Sequence, residues 1–278
     1  MRNADLHTHS CYSDGLISPT ELVRLAKKRG VKYLALTDHD AVGGVKEAIK
    51  EGKKIGVNII PGVEVRVRTS EILGYFIDIN NKTLIKKLKN SCRTNENKVK
   101  DMCNQLRKKG YDISFKQLEK KFPKARGNIN EFYLLYFFHL KGYGTTREIA
   151  VKIGEQGVKG RKTKRFTVIE GIRLVKMAKG IPVLAHPWLE VEVLKESNFK
   201  KYVKAGLKGI EINNGDKSPL RRKIHAKRIK YLAKKYNLIL TSGSDFHGKE
   251  LVKQMPGNHD LGKFNCDEKI IKQLERLR

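Results

Sequence analysis

Two histidines one residue apart stand near the start of the chain, in "DLHTHSCYSDG" at positions 5 to 15. Residues i and i+2 of a strand face the same side, so His7 and His9 aim two imidazoles at one point. Asp14, in the loop that follows, can curl back toward them. The same spacing recurs late in the chain, where "TSGSDFHG" supplies Asp245 and His247. Other titratable residues stand at or just beyond the ends of apolar runs: His39 after "VKYLALT", Glu64 in "PGVEV", Glu71 ahead of "ILGYFI" and His186 in "VLAHP". Imidazoles mixed with carboxylates suit Zn, Mn or Fe, and this number of donors suits a cluster of two or three divalent ions. Singly, each residue has a plain structural reading. A histidine after a strand is commonly a satisfied core residue, Glu64 can pair with a lysine, and Asp14-Gly15 can be a turn. Coincidence at six strand ends is a poor explanation of the whole set.

The elements that must position these residues are legible over most of the chain. "SPTELVRLAKKRG" reads as a capped helix, with Ser18 as N-cap, Pro19 in the first turn, Glu21 completing a capping box and Gly30 as the stop. Leu22, Leu25 and Ala26 form its apolar stripe. Strand "VKYLALT", a helix through "VKEAIKEGKKIG", strand "VNIIPGVEV" and strand "EILGYFI" follow. After residue 170 the rhythm resumes with a helix in "VIEGIRLVKMAKG", strands in "IPVLAHP" and "LKGIEINNG", a basic helix from Pro219 to Tyr236, strand "NLILTSGSDFHG" and a last helix near 267–278. Strands alternating with helices predict an α/β fold with a parallel sheet, open or closed into a barrel. In such folds the C-terminal strand ends are where loops converge into sites, and the candidate ligands stand there.

Residues 81–170 break the pattern. "KTLIKKLKNSCRTNENKVKDMCNQLRKKG" predicts a long basic amphipathic helix and "INEFYLLYFFHLKGYG" a short aromatic one, so this stretch reads as a helical subdomain inserted into the α/β unit of residues 1–80 and 171–278. Charge is concentrated there too. The chain holds 59 Lys+Arg against 29 Asp+Glu, a formal +30, and residues 82–180 contribute 26 basic and 8 acidic side chains. Such a field attracts polyanions and steers acidic substrates, which favours a phosphate-bearing partner. Phe132, Tyr133, Tyr136, Phe137 and Phe138 could stack a base, but their helical spacing reads better as core. Cys11, Cys92, Cys103 and Cys266 are too scattered for a disulfide framework or a zinc knuckle and read as reduced thiols of a cytoplasmic protein. No apolar run nears the roughly 18–20 residues needed to span a bilayer, and the N-terminus has no signal-peptide pattern. Cys11, His139, His225 and His259 read as structural.

The motifs "DLHTHSCYSDG", "ALTDHD", "PGVEV", "ILGYFID", "VLAHP" and "TSGSDFHG", in this order, resemble the PHP (polymerase and histidinol phosphatase) superfamily. The resemblance implies a distorted (β/α)7 TIM-like barrel whose C-terminal rim holds up to three metal ions. Its ligands here would be His7, His9, Asp14, His39, Glu64, His186, Asp245 and His247. It also implies that Asp38 or Asp40 orients a histidine. Members similar in architecture are nucleoside 3′,5′-bisphosphate phosphatases and exonucleases acting 5′ to 3′ on short 5′-phosphorylated RNA. Glu71 stands where relatives usually carry a histidine, keeping a donor but changing the charge of the third site. In "ARGNIN", Arg126 matches a phosphate-binding arginine, while Asn128 replaces the family's histidine. "EINNGDKSPLRRKIH" lacks the tyrosine and histidine common after that strand.

The expected function is metal-dependent hydrolysis of phosphate esters of nucleotides or short single-stranded RNA by a metal-activated hydroxide, with Arg126 clamping a phosphate and His186 or His247 protonating the leaving oxygen. Two other readings compete. A histidinol-phosphate-type phosphatase would pair a cationic substrate with a strongly basic protein. A nucleic-acid-binding protein with a partly decayed metal site would account for Glu71 and Asn128 but not for the intact remaining donors.

Overall fold

The computed structural model describes residues 2–125, 127–163, 165–213, 219–249, 260–264 and 266–278. Helix α1 (Pro19–Lys28) forms where local signals agree: Ser18 caps Glu21 N, the Glu21 carboxylate accepts from Ser18 N at 2.8 Å, and Gly30 leaves the helix at a φ of +73°. Its buried stripe is Leu22, Val23 and Ala26, with Leu25 half-buried.

Seven strands lie side by side in chain order: β1 (Arg2–Asp5), β2 (Tyr33–Leu36), β3 (Asn58–Arg66), β4 (Glu71–Tyr75), β5 (Ile181–Leu184), β6 (Gly209–Asn213) and β7 (Ile239–Ser242). A short β8 (Cys266–Asp267) pairs antiparallel with the beginning of β1. Past its end, β1 closes the barrel against β7. Leu6 N donates to Ser242 O at 3.3 Å, Asp245 N to His7 O at 2.8 Å and His9 N to Phe246 O at 2.9 Å. Gly243 permits this seam, because a Cβ there would stand 2.3 Å from His7 Cβ.

The sheet is not wholly parallel, contrary to expectation. Strand β4 runs antiparallel to both β3 and β5, while the β1–β2–β3 and β5–β6–β7 pairings are parallel. Only residues 67–70 separate β3 from β4, and a parallel pairing needs a crossover of a dozen residues or more. The result is a distorted α/β barrel with one reversed strand.

Helices α1 and α2 (Val45–Ile55) pack over β2 and β3. Later in the chain, α7 (Val168–Met177), α8 (Glu196–Ala205) and α9 (Pro219–Lys235) share a core with β3–β6. Helix α10 (Glu268–Glu275) packs against β1 and β7, and its Ile271 and Leu274 join Leu6, Ala35, Leu73 and Val183. Between β4 and α7 run α3 (Lys82–Lys108), α4 (Phe115–Lys121), α5 (Glu131–Leu140) and α6 (Thr146–Glu155). Leu84 and Leu88 of α3 bury in the barrel core, whereas Val99, Met102, Cys103 and Leu106 bury in a second core with Tyr133, Leu134, Phe137 and Phe138 of α5. The aromatic helix is thus built into this second core. Helices α4, α6 and α8 escape the sequence pattern because they bury so little: Leu118 alone in α4, Ile149 and Ile153 in α6, Phe199 and Tyr202 in α8. No helix among the described residues is long and apolar enough to cross a membrane.

Candidate metal centre

The strand ends bring the nine candidate ligands together. His7 and His9 extend β1 and are fully buried, while Thr8 between them turns the other way to donate to Ala35 O at 2.6 Å. Glu64, on the inner face of β3, is the hub. Its Oε2 lies 3.1 Å from His7 Nε2, 3.3 Å from His9 Nε2 and 3.1 Å from His39 Nδ1, and its Oε1 lies 3.1 Å from His186 Nε2. Glu71, opening β4, reaches His186 Nε2 at 3.2 Å and His39 Nδ1 at 3.4 Å. Asp245 Oδ1 stands 3.2 Å from His9 Nε2 and 3.4 Å from His7 Nε2, and Asp14 Oδ1 stands 3.4 Å from His247 Nε2. The His9 ring stacks on His247 and His39, with centroids 4.1 and 4.6 Å apart. Asp40, His186 and Asp245 hold positive-φ backbone, at φ of 50°, 24° and 55°, a conformation that is uncommon for side-chain-bearing residues.

These residues fall into four overlapping groups whose donor atoms lie within 4.8 Å of one another: His9, Asp14, His39 and His247; His7, His186 and Asp245; His7, His9 and Glu64; His39, Glu64 and Glu71. The donor set fits divalent ions. Both ring nitrogens of His9, His39 Nδ1 and Asp14 Oδ1 are buried with no aligned hydrogen-bond partner among the described residues, which is costly unless a cation takes them up. Two donors sharing a tetrahedral ion at about 2.1 Å each stand about 3.4 Å apart, the spacing seen here.

Without metal, the surrounding carboxylates favour the protonated form of His7, His9 and His186. Burial disfavours a charged His7, but Glu64, Asp245 and Glu211 outweigh it and raise its pKa well above the usual histidine value. His9, opposed by burial in the same way, is pushed up to about 10 by Asp245 and Glu64. Burial would raise Glu64, yet the imidazoles of His7, His39 and His186 hold it well below the carboxylate range. His39 goes the other way, down to about 4, through burial and then the positive charge of Arg66.

Two residues of the centre escaped sequence reading. Glu211 on β6 is fully buried; its Oε1 lies 3.1 Å from His7 Nδ1 and its Oε2 accepts from His186 N at 2.8 Å. A carboxylate only accepts, so Nδ1 of His7 carries the proton and Nε2 faces the centre. The signal was the lone acid between Ile210 and Ile212 in an apolar strand. Arg66, two residues beyond Glu64 and so on the same strand face, donates to Asp14 Oδ2 at 2.9 Å and stands 3.8 Å from Glu71 Oε1.

Asp38 and Asp40 do not orient a histidine, contrary to expectation. Asp38 accepts from Ser10 N, Ser10 Oγ and Ser13 Oγ, all at 2.7 Å, and braces the loop after β1. Asp40 accepts from Arg66 N and Ser91 Oγ. Burial pushes both carboxyls up to about 6. Asn128 turns inward, its Nδ2 donating to Tyr12 O at 3.0 Å and to His39 O at 2.9 Å, so it ties the segment ahead of α5 to the His39 loop. Arg126 and His259 lie outside the described residues. His139 pairs with Gly144 O at 2.7 Å, and neither it nor His225 joins a ligand group among the described residues.

The chain is similar to known proteins along most of its length. The chain is 28% identical over 257 residues to a 5′-3′ exoribonuclease of Haemophilus influenzae, covering 87% of this chain and 89% of that one. It is 29% identical over 264 residues to a 3′,5′-nucleoside bisphosphate phosphatase of Chromobacterium violaceum, covering 89% and 88%. A solved structure of a candidate metal-dependent phosphoesterase from Bifidobacterium adolescentis superposes with a TM-score of 0.86 over 98% of this chain and 95% of that one; at 24% identity this likeness bears on the fold. The PHP domain model matches residues 5–153, and the chain belongs to the PHP domain family of metal-dependent phosphoesterases.

Proposed function

We propose that this protein hydrolyses phosphate esters of nucleotides, including short 5′-phosphorylated RNA, with two or three Mn, Zn or Fe ions held by His7, His9, Asp14, His39, Glu64, Glu71, His186, Asp245 and His247. The observation that carries the reading is Glu64, whose two oxygens stand within 3.3 Å of four imidazoles in a buried site. Divalent ions there supply Lewis acidity toward a phosphoryl oxygen and lower the pKa of a water to near neutrality.

The chain's own residues do the rest. Glu211 holds His7 and the His186 backbone, Asp38 holds the loop carrying Asp14, and Arg66 offsets part of the carboxylate charge that would repel a phosphate. His186 or His247, whichever is not engaged by an ion, protonates the leaving oxygen instead, and Arg126 clamps a phosphate by two parallel hydrogen bonds. The nucleotide half of the proposal rests on the +30 charge and on what the two relatives act on. A small substrate with a cationic amine suits this field less well.

The test measures phosphate and nucleotide release from adenosine 3′,5′-bisphosphate and from a 5′-phosphorylated RNA oligomer with Mn²⁺ added. Release from either one supports the proposal, and stepwise release from the oligomer makes the protein an exonuclease. Inactivity on both, at confirmed metal loading, overturns it.

A further inference from the structure

Along the barrel-side edge of helix α3 lies an open groove of about 810 Å³, within the size range of ligand sites. Its floor is apolar, from Val42, Ile79, Ile85 and Leu88. Five exposed cations line it: Lys46 from the β2–α2 side, Lys89, Arg93 and Lys100 along α3, and Lys124 at the far wall. Two acids share the groove, and both are engaged. Asp40 accepts from Arg66 N and Ser91 Oγ, and Glu96 accepts from Ile129 N.

None of the five cations makes an ion pair with a described residue. Three other cations of the insertion are paired: Lys98 with Glu131, Arg161 with Asp101 and Lys141 with Asp112. Unmatched like charges around an apolar floor repel one another until an anion enters. The groove is joined to the metal centre through the backbone of the His39 loop, none of the nine ligands lining it directly. Asn128 and Tyr12 line it, and Asn128 Nδ2 also donates to His39 O.

We propose that this groove carries the nucleotides of a single-stranded RNA beyond the one at the metal centre, with the rim cations on its phosphates and the apolar floor under its bases. This rests on the nucleotide phosphoesterase reading and deepens it, assigning a polynucleotide rather than a mononucleotide as the substrate. Such binding is sequence-tolerant and steeply salt-dependent, because each neutralised phosphate releases counterions.

The test uses the full chain and a fluorescent, 5′-phosphorylated RNA oligomer, with anisotropy read in EDTA across a salt series. Lys89→Ala/Arg93→Ala is compared with Lys200→Ala/Lys204→Ala, which removes the same charge from exposed positions on α8. The groove pair weakens binding at least tenfold and shallows the log Kd against log [salt] slope by about 1.4, or about 0.7 for each phosphate no longer neutralised; the α8 pair binds as wild type does. Equal weakening by both pairs makes the attraction a diffuse field and overturns the groove, as does a groove pair that binds normally or a wild type that does not bind the oligomer. Failure of the two readings is separable. If wild type cleaves the oligomer and the groove pair binds it normally, the groove falls and the phosphoesterase reading stands. If wild type binds it through the groove but hydrolyses neither the oligomer nor the bisphosphate, the groove stands and that reading falls.

Discussion

Glu211→Gln is the substitution that most directly tests how the centre is held. Glu211 uses both oxygens, Oε1 at 3.1 Å from His7 Nδ1 and Oε2 at 2.8 Å from His186 N, and both partners are N–H donors. Glutamine is nearly isosteric but has one acceptor, so it keeps one bond and presents an NH₂ to the other N–H. The side chain is fully buried, out of reach of bulk solvent that could replace the missing acceptor. Losing a buried hydrogen bond to a charged group costs about 1.5–3 kcal/mol. If that cost falls on the metal-ready orientation of His7, metal affinity drops by about 10–100-fold, the usual effect of removing a carboxylate behind a ligating imidazole. A competition titration of Zn²⁺ or Mn²⁺ against a chromophoric chelator reads the affinity, with circular dichroism to confirm the fold and Glu211→Ala as a second variant lacking both acceptors. We expect Glu211→Ala to be the weaker binder of the two. Metal affinity within threefold of wild type in both variants would refute the claim that Glu211 orients the centre.

Metal binding should release protons. His7, His9 and His186 have raised pKa values, with His9 near 10, so at pH 7 the metal-free cluster carries imidazolium that incoming ions must displace. Affinity therefore falls as pH drops and rises through the alkaline range; calorimetric enthalpies that do not change between buffers of different ionisation enthalpy would contradict this. Arg66→Met removes a positive charge from between Asp14 and Glu71, and elemental analysis should find more metal per chain, or binding at least tenfold tighter. Unchanged metal content and affinity would show that the guanidinium does not compete with a cation. Gly243→Ala places a Cβ 2.3 Å from His7 Cβ on the seam that closes the barrel, and should cost about 1–3 kcal/mol, roughly 2–4 °C of melting temperature for each kcal/mol. A melting temperature equal to wild type would mean that the seam yields freely.

What the sequence determined by itself is whatever depends on residues close together along the chain. The i, i+2 rule paired His7 with His9 and Asp245 with His247, the Ser18–Glu21 capping box set the start of α1, and the apolar spacing of α3 was plain over its whole length. The reversal of β4 was also available, in the four-residue link after β3, but the alternation of strands with helices outweighed it. Arg66 was equally within reach, since the same i, i+2 rule that paired the histidines places it on the face of Glu64. The rest was settled only by closure of the barrel. Glu211 meets His7 across 204 residues of chain, and Asn128 reaches His39 across 89, distances over which no local pattern carries information. Ring nitrogens and carboxylate oxygens come within about 3 Å only once seven strand ends share one rim. Strand geometry decides which side chains face inward, but which carboxylate meets which imidazole is decided by the register of strands that the chain itself keeps far apart.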